Sequence, residues 1–122
     1  MELKFRGQRG RKDCVVQAST DGGETYHALP LYLEWVNHSP TGFEWGYYGS
    51  GPSQLAYAIL HQYFIMVEGF TGDEAYEEAQ DIYMRFKQDV IAPIHAEKWG
   101  IDGGDIKEWL RKTEREMEKY ND

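Results

Sequence analysis

The chain has 122 residues, which is the size of one domain and long enough to bury a single hydrophobic core. Hydrophobic residues make up 41% of it and aromatic residues 15%, a composition that excludes a disordered chain. The net charge of −8 argues against general nucleic-acid binding, because proteins that grip DNA or RNA nonspecifically present a basic surface. We therefore expect one domain over residues 1–122, with a strand and turn half at 1–48 and a helical half at 49–122.

Cysteine content and hydropathy bound the compartment in which the protein works. Cys14 is the only cysteine, so the disulfide framework of a small secreted scaffold is excluded. The first six residues lack the apolar stretch of a signal peptide. The most apolar run, Leu55 to Val67, is interrupted by His61 and Gln62, which argues against a membrane span. We expect a cytoplasmic protein without membrane contact.

Charge is unevenly distributed along the chain. Residues 1–12 contain five basic side chains and one acid, whereas residues 13–72 contain six acids and no lysine or arginine. An anion bound by this long segment must therefore be held by backbone donors, by hydroxyl groups or by the cations of the N-terminal cluster. These cations are Lys4, Arg6, Arg9, Arg11 and Lys12.

The first half of the chain has the pattern of short strands and turns. Leu3 to Phe5 and Cys14 to Ala18 are β-like runs, and the Asp-Gly-Gly sequence at 21–23 is typical of a turn. Leu29 to Val36 partly alternates between apolar and polar residues, which predicts another strand. Pro30 confines this strand to an edge or a strand start, because proline cannot donate to a sheet.

The second half predicts three helices. Residues from Pro52 to about Met66 are apolar nearly all round, which indicates a buried central helix. Thr71 and Glu74 form a capping-box pattern that opens an amphipathic helix with a stripe reaching Val90. The last helix follows Gly103-Gly104, with Asp105 as its expected N-cap. The predicted fold is α+β, with a small antiparallel sheet from the first half packed on the buried helix and two further amphipathic helices covering it.

The loop before the central helix carries the sharpest functional signal. Gly49-Ser50-Gly51-Pro52 follows an aromatic segment and opens the helix, where free N–H groups and a partial positive charge can hold a phosphate or carboxylate. The same sequence also makes a sharp turn into a buried helix without any ligand. It lacks the lysine of a phosphate-binding loop and the third glycine of a dinucleotide fingerprint. The candidate ligand-binding residues are His38, Trp45, Tyr47, Gly49, Ser50, Gly51 and Ser53.

A longer motif carries a family resemblance. The run Asn37 to Tyr47, followed by Gly-Ser-Gly-Pro at 49–52 and Leu-Ala at 55–56, resembles the signature of a family of small bacterial, archaeal and phage proteins catalogued as a domain of unknown function. Phe86-Lys87 and the segment Ile106 to Leu110 are similar to later helical blocks of that family. The resemblance implies no assigned activity, although members often occur on mobile genetic elements. Tyr48 stands where a glycine is expected.

Other chemistry has weaker support in the sequence. The four histidines have no metal-ligand spacing, Cys14 lies in the apolar context of an inert thiol, and we expect no metal, cofactor or catalytic residue. An enzyme would require His38, Glu44 and Ser50 to converge.

The first functional hypothesis is a noncatalytic module for an anion or nucleotide-like ligand. The alternative is an acidic accessory protein of a phage or mobile element that modulates a host protein, and a homo-oligomer is compatible with both.

Overall fold

The computed structural model describes residues 2–120, which fold into one antiparallel sheet and a layer of helices. The sheet has the strand order β3-β2-β1-β4. The α+β class predicted from the sequence is confirmed. In chain order the elements are β1 (Lys4–Arg9), β2 (Cys14–Ser19), β3 (His27–Ala28), α1 (Ser50–Met66), α2 (Gly72–Gln80), α3 (Tyr83–Phe86), a π-helical turn (Lys87–Ile91), β4 (Lys98–Asp102) and α4 (Gly103–Tyr120).

The sheet buries one face against α1 and exposes the other. Phe5 on the central strand β1 pairs with Ala18 on one side and Ile101 on the other, and all three side chains belong to the core. The neighbouring β1 residues Arg6 and Gln8 are exposed, as the two-residue period of a half-buried strand requires. The alternation therefore fixes which face of the sheet meets the helices.

Helix α1 is the centre of the molecule. All fourteen residues from Gly51 to Phe64 are buried, which confirms the central helix predicted from its all-round apolar sequence. The polar side chains of Gln54, His61 and Gln62 are buried with them. These groups must find hydrogen-bond partners inside the protein, because a buried polar group without one is costly. Among residues 2–120, no helix is both long and apolar enough to cross a membrane.

Two predictions about the sheet are wrong, the strand at 29–36 and the origin of every strand in the first half of the chain. Residues 29–36 form no strand, because the chain turns at 33–35 and Tyr32 adopts a positive φ of 57° that a strand does not allow. The sheet instead contains the short β3, which pairs with β2, and β4, which comes from the second half of the chain and pairs with β1. The sheet is therefore built from both halves rather than from the first half alone.

The helices after α1 also differ in detail from their prediction. The Thr71 and Glu74 capping box is present at the start of α2, but that helix ends at Gln80 and the stripe continues through α3 and the π-helical turn. Helix α4 begins at Gly103, so Asp105 is its third residue rather than its N-cap. The Asp102 carboxylate accepts the Asp105 N–H at 2.8 Å, and the Asp105 carboxylate accepts the Asp102 N–H at 3.0 Å. This reciprocal cap satisfies two donors at the helix start.

A single buried side chain holds the long segment between β3 and α1. The oxygen of the Gln54 amide accepts the backbone N–H groups of His38 at 2.7 Å and Ser39 at 3.1 Å. The nitrogen of the same amide donates to the carbonyl oxygens of Leu31 at 2.7 Å and Val36 at 2.8 Å. Gln54 therefore fixes both ends of the turn at 31–39 onto α1.

Replacing Gln54 should destabilise the protein strongly. Gln54→Leu fills a similar volume but leaves two backbone donors and two acceptors unpaired, and we expect the free energy of unfolding to fall by about 3 kcal/mol. Urea denaturation measures this loss. The matched control is Gln80→Leu at an exposed position, which should change stability by less than about 0.5 kcal/mol. Equal effects of the two variants would contradict the anchoring role of Gln54.

Candidate functional site

The start of α1 presents backbone donors that have no acceptor among the residues that the structure describes. Gly49 is the N-cap and has extended backbone, and no side chain caps the helix. Pro52 has no N–H, and the first paired amide is that of Ser53, which donates to the Gly49 carbonyl at 3.1 Å. Within residues 2–120, the N–H groups of Gly49, Ser50 and Gly51 have no hydrogen-bond acceptor. Three amides are thus available at the positive end of the helix.

The protein itself approaches both glycines of this loop closely. A Cβ atom on Gly51 would lie 2.6 Å from Cβ of Glu44, and one on Gly49 would overlap the ring of Tyr47. These contacts explain both glycines without a ligand. Gly51 is buried, Gly49 is half-buried and Ser50 is exposed. The inner side of the loop is therefore closed, and of these three residues only Ser50 is exposed to solvent.

A buried lysine lies against the first turn of α1. The ammonium group of Lys87 donates to the Ser53 hydroxyl at 3.1 Å, and that hydroxyl donates to the Gly49 carbonyl at 2.9 Å. Lys87 is 8% exposed, and no carboxylate lies within 4.0 Å of its ammonium group in the part of the chain that the structure describes. It is the first residue of the π-helical turn, a distortion that is often found at functional sites.

The N-terminal cluster supplies one cation to the same region, but this cation is already bound. Arg9 donates to both carboxylate oxygens of Glu44, at 2.7 and 2.9 Å, and its guanidinium lies 4.8 Å from the centre of the Trp45 ring. Arg6 lies elsewhere, over Tyr26 on the open face of the sheet. The sequence analysis offered the cations of this cluster as possible partners of a bound anion. The charge of Arg9 is already neutralised by Glu44.

Cys14 contacts the ion pair of Arg9 and Glu44, because its thiol donates to the Glu44 carboxylate at 3.2 Å. Burial raises the pKa of Glu44, but the hydrogen bonds from Arg9 and Cys14 outweigh it and hold the pKa below the usual value. Burial raises the pKa of the Cys14 thiol to about 11, and its hydrogen bond to Glu44 acts in the same direction. Cys14 is therefore protonated at neutral pH and is a poor nucleophile, since the thiolate is the reactive form.

The aromatic residues of the loop separate into two groups. Trp45 is 1% exposed, and its indole N–H donates to the Ala96 carbonyl at 2.9 Å. Phe43 is also in the core. Tyr47 and Tyr48 are exposed at 49% and 70%. Of the aromatic residues predicted to line the site, Tyr47 is therefore exposed to solvent, whereas Trp45 packs inside the protein.

His38 faces another element. Its Nε2 lies 2.8 Å from the hydroxyl of Tyr83, and its backbone N–H is held by Gln54. Within residues 2–120, no hydrogen bond joins any pair among His38, Glu44 and Ser50, so the structure does not assemble the acid and base group that an enzyme would require. In the same range, no group of three or more metal-ligating side chains is placed to hold a metal ion.

The family of unknown function DUF6166 has a model that matches residues 5–112. The chain belongs to this family. The match covers most of the chain and confirms the family resemblance predicted from the sequence. Neither a curated protein nor a solved structure matches the chain.

The buried histidine of α1 is a titratable group whose pKa changes on folding. His61 is 1% exposed, and its Nδ1 lies 3.0 Å from the Tyr57 hydroxyl. Its ring packs against Tyr32 and Trp35 at centroid distances of 4.4 and 5.5 Å. Burial lowers the pKa of His61, and the charge of Glu34 opposes this only in part. The folded protein therefore favours neutral His61.

This burial predicts a loss of stability in weak acid. The unfolded chain binds a proton at His61 near its ordinary pKa of about 6.5, whereas the folded chain resists it. The stabilisation that the neutral His61 ring gives the folded state is complete above the pKa of the unfolded chain. It is lost as the pH falls toward the lowered pKa of the folded state. Urea denaturation at about pH 7 and about pH 5 should show a lower free energy of unfolding at the acid value.

Two histidine variants assign this pH dependence. His61→Asn keeps a polar atom near the position of Nδ1 but does not titrate, so the loss of stability between the two pH values should shrink. His27→Asn removes an exposed histidine of β3 and should leave the loss unchanged. If His61→Asn retains the full pH dependence, another group is responsible.

Proposed function

We propose that the protein is a noncatalytic binding module that holds a small anion at the start of α1. The proposed donors are the amides of Gly49, Ser50 and Gly51 together with the ammonium group of Lys87, which Ser53 positions. The observation that carries the proposal is that Lys87 is buried at a helix N-terminus without a carboxylate partner in the described chain. The ligand class is an oxyanion such as phosphate, alone or as part of a nucleotide.

Electrostatics supports this assignment. A cation beside a helix N-terminus meets a partial positive charge, and burial removes water that would otherwise stabilise it. Both costs are offset when an anion lies between the ammonium group and the helix amides. The Ser53 hydroxyl uses one ammonium N–H, and the other two N–H groups of Lys87 have no acceptor among the described residues, so they are free to bind such an anion.

The residues around the helix start limit how deeply a ligand can enter. Glu44 closes the inner side of Gly51, and its negative charge would repel an anion that entered deeply. The exposed ring of Tyr47 lies against Gly49 and offers a flat apolar surface beside the amides. A phosphate at the amides with an attached ring stacked on Tyr47 fits this arrangement, because aromatic side chains stack on bases.

Contact with a basic host protein is the second candidate function. It is supported by the acidic outer face of α2, where Asp73, Glu77 and Glu78 are exposed and residues 72–80 contain no cation. We rank it second because these carboxylates are solvated, whereas Lys87 carries its charge inside the protein. An accessory role on a mobile element is part of this second proposal. We also propose a cytoplasmic setting, because a single cysteine fits a reducing compartment.

Phosphate should stabilise the protein through Lys87. At about one hundred times the dissociation constant, phosphate adds about 2.7 kcal/mol, which raises the melting temperature of a domain of this size by roughly 10 °C. Lys87→Met keeps the buried stem and removes the charge, so we expect the response to phosphate to be lost. Thermal unfolding is measured in phosphate and in sodium chloride of equal ionic strength, because general screening acts in both.

The variants also separate a ligand site from a structural role. Without phosphate, Lys87→Met should be at least as stable as the unsubstituted protein, because an uncompensated buried charge has been removed. Lys98→Met, at an exposed position on β4, is the matched control and should keep the full response. An equal response to phosphate in Lys87→Met, or no response in the unsubstituted protein, would contradict the proposal.

A further inference from the structure

The open face of the sheet carries a cleft that the anion site does not explain. It has a volume of about 500 Å³ and crosses β2, β1 and β4. We call it the sheet cleft. Strand alternation places its outward side chains on the face opposite the core. These side chains are Arg6, Gln8, Val15, Gln17 and Lys98.

The sheet cleft is basic in an acidic protein. The chain has 21 acids against 13 lysines and arginines, yet two cations and no carboxylate line the cleft among the described residues. Asp13 and Glu97, the acids that border it in the sequence, are not part of its lining. Within residues 2–120, neither Arg6 nor Lys98 forms a salt bridge. This local excess of positive charge favours an acidic partner.

Arg6 is oriented without using a carboxylate. Its Nε donates to the Gln17 side-chain oxygen at 2.9 Å, and its guanidinium carbon lies 3.5 Å from the centre of the Tyr26 ring. Its two terminal nitrogens have no acceptor among the residues that the structure describes. Because the planar guanidinium is already held, these nitrogens can bind both oxygens of one carboxylate with little further loss of side-chain freedom.

The spacing of the two cations matches an extended peptide. Arg6 pairs with Gly100 across the two strands, so Lys98 is its diagonal neighbour, at about 7–8 Å. Alternate side chains of an extended peptide point the same way at intervals of about 7 Å. Gly100 leaves the surface beside Arg6 open, since a Cβ atom there would meet only the Phe5 carbonyl oxygen, at 3.8 Å. Two carboxylates at alternate positions of a peptide therefore fit the two cations.

The aromatic residues near the sheet cleft favour a polypeptide over a single-stranded nucleic acid. Bases bind on aromatic rings that are free to stack. The Trp99 ring is half-buried, lies against Gly7 and meets the Trp45 ring edge-on at a centroid distance of 5.6 Å. The Tyr26 ring is covered by Arg6. The cleft therefore offers cations and amide groups but no open ring for a base.

We propose that the sheet cleft binds an acidic segment of another protein in extended conformation, with carboxylates at alternate positions. The terminal nitrogens of Arg6 hold one carboxylate, and the ammonium group of Lys98 holds the next. The amide of Gln8, which has no hydrogen-bond partner among residues 2–120, lies between them and bonds the peptide backbone. Val15, which is 52% exposed, contacts an intervening side chain. This site is independent of Lys87 and the start of α1.

Fluorescence anisotropy with the full chain and a labelled peptide of alternating Glu and Thr tests the proposal. At about 50 mM salt, where screening is limited, we expect saturable binding. Arg6→Gln should weaken it about tenfold, because a charge-assisted bidentate contact is lost, and Lys98→Gln about threefold. Lys112→Gln is the matched control, since it removes the same charge at an exposed position outside the cleft. It should leave the dissociation constant unchanged.

Two further comparisons separate this geometry from general charge attraction. A peptide of the same composition with Glu in adjacent pairs places same-side carboxylates about 14 Å apart, so it should bind about threefold more weakly. Arg6→Gln should abolish that preference, because one cation cannot sense the spacing. Arg6→Lys keeps the charge but loses the planar fork, and it should also bind the alternating peptide more weakly than the unsubstituted protein.

A single-stranded thymidine oligonucleotide of equal net charge is the competing probe, and it should bind at least about tenfold more weakly than the peptide. Equal or tighter binding of the oligonucleotide would assign the cleft to nucleic acid and overturn the proposal. Absence of saturable peptide binding up to about 1 mM would also overturn it. An equal loss in Lys112→Gln would show that net charge, rather than the cleft, attracts the peptide. Equal affinity for the two peptides would contradict the alternate spacing.

Discussion

The side chain of Gln54 is the connection on which the arrangement of the molecule depends. The 21 residues between β3 and α1 contain no helix or strand, and a segment of that length has no ladder of its own to fix its path. One amide has two donor and two acceptor positions, and Gln54 uses all four on this segment. Because Gln54 lies in the second turn of α1, it also fixes the segment relative to the helix start.

Few cations reach the start of α1, and their partners determine how much positive charge is left there. Residues 13–84 contain no lysine or arginine, so α1 and the segment before it depend on distant parts of the chain for positive charge. Arg9 arrives on β1 and is neutralised by Glu44, while Lys87 arrives on the π-helical turn and meets only a hydroxyl group. The two cations therefore differ, since Arg9 is paired with a carboxylate, whereas Lys87 has no carboxylate within 4.0 Å among residues 2–120.

What the sequence could predict follows from the range of the interactions involved. The buried α1 and the Thr71 capping box depend on local periodicity and local caps, and both were predicted. Residues 29–36 have the apolar and polar alternation of a strand but form none, because Gln54 binds two of their carbonyl oxygens and Tyr32 has a positive φ. Lys87 meets Ser53 across 34 residues, a contact that no local pattern contains. Its sequence signals are a cation adjoining an apolar helical stripe and its place in the Phe86-Lys87 block of the family resemblance, and neither indicates a contact with Ser53.

Helix α1 connects the proposed anion site to the centre of the core. Its seventeen residues span roughly 25 Å, with the free amides at its start. Coupling of this site to a distant surface requires an element with two arrangements that both ligands bias. Helix α1 is packed against the core along most of its length and cannot shift without disturbing that core. Anion binding should therefore stabilise the fold without moving α1, because the helix offers no second state for an anion to select.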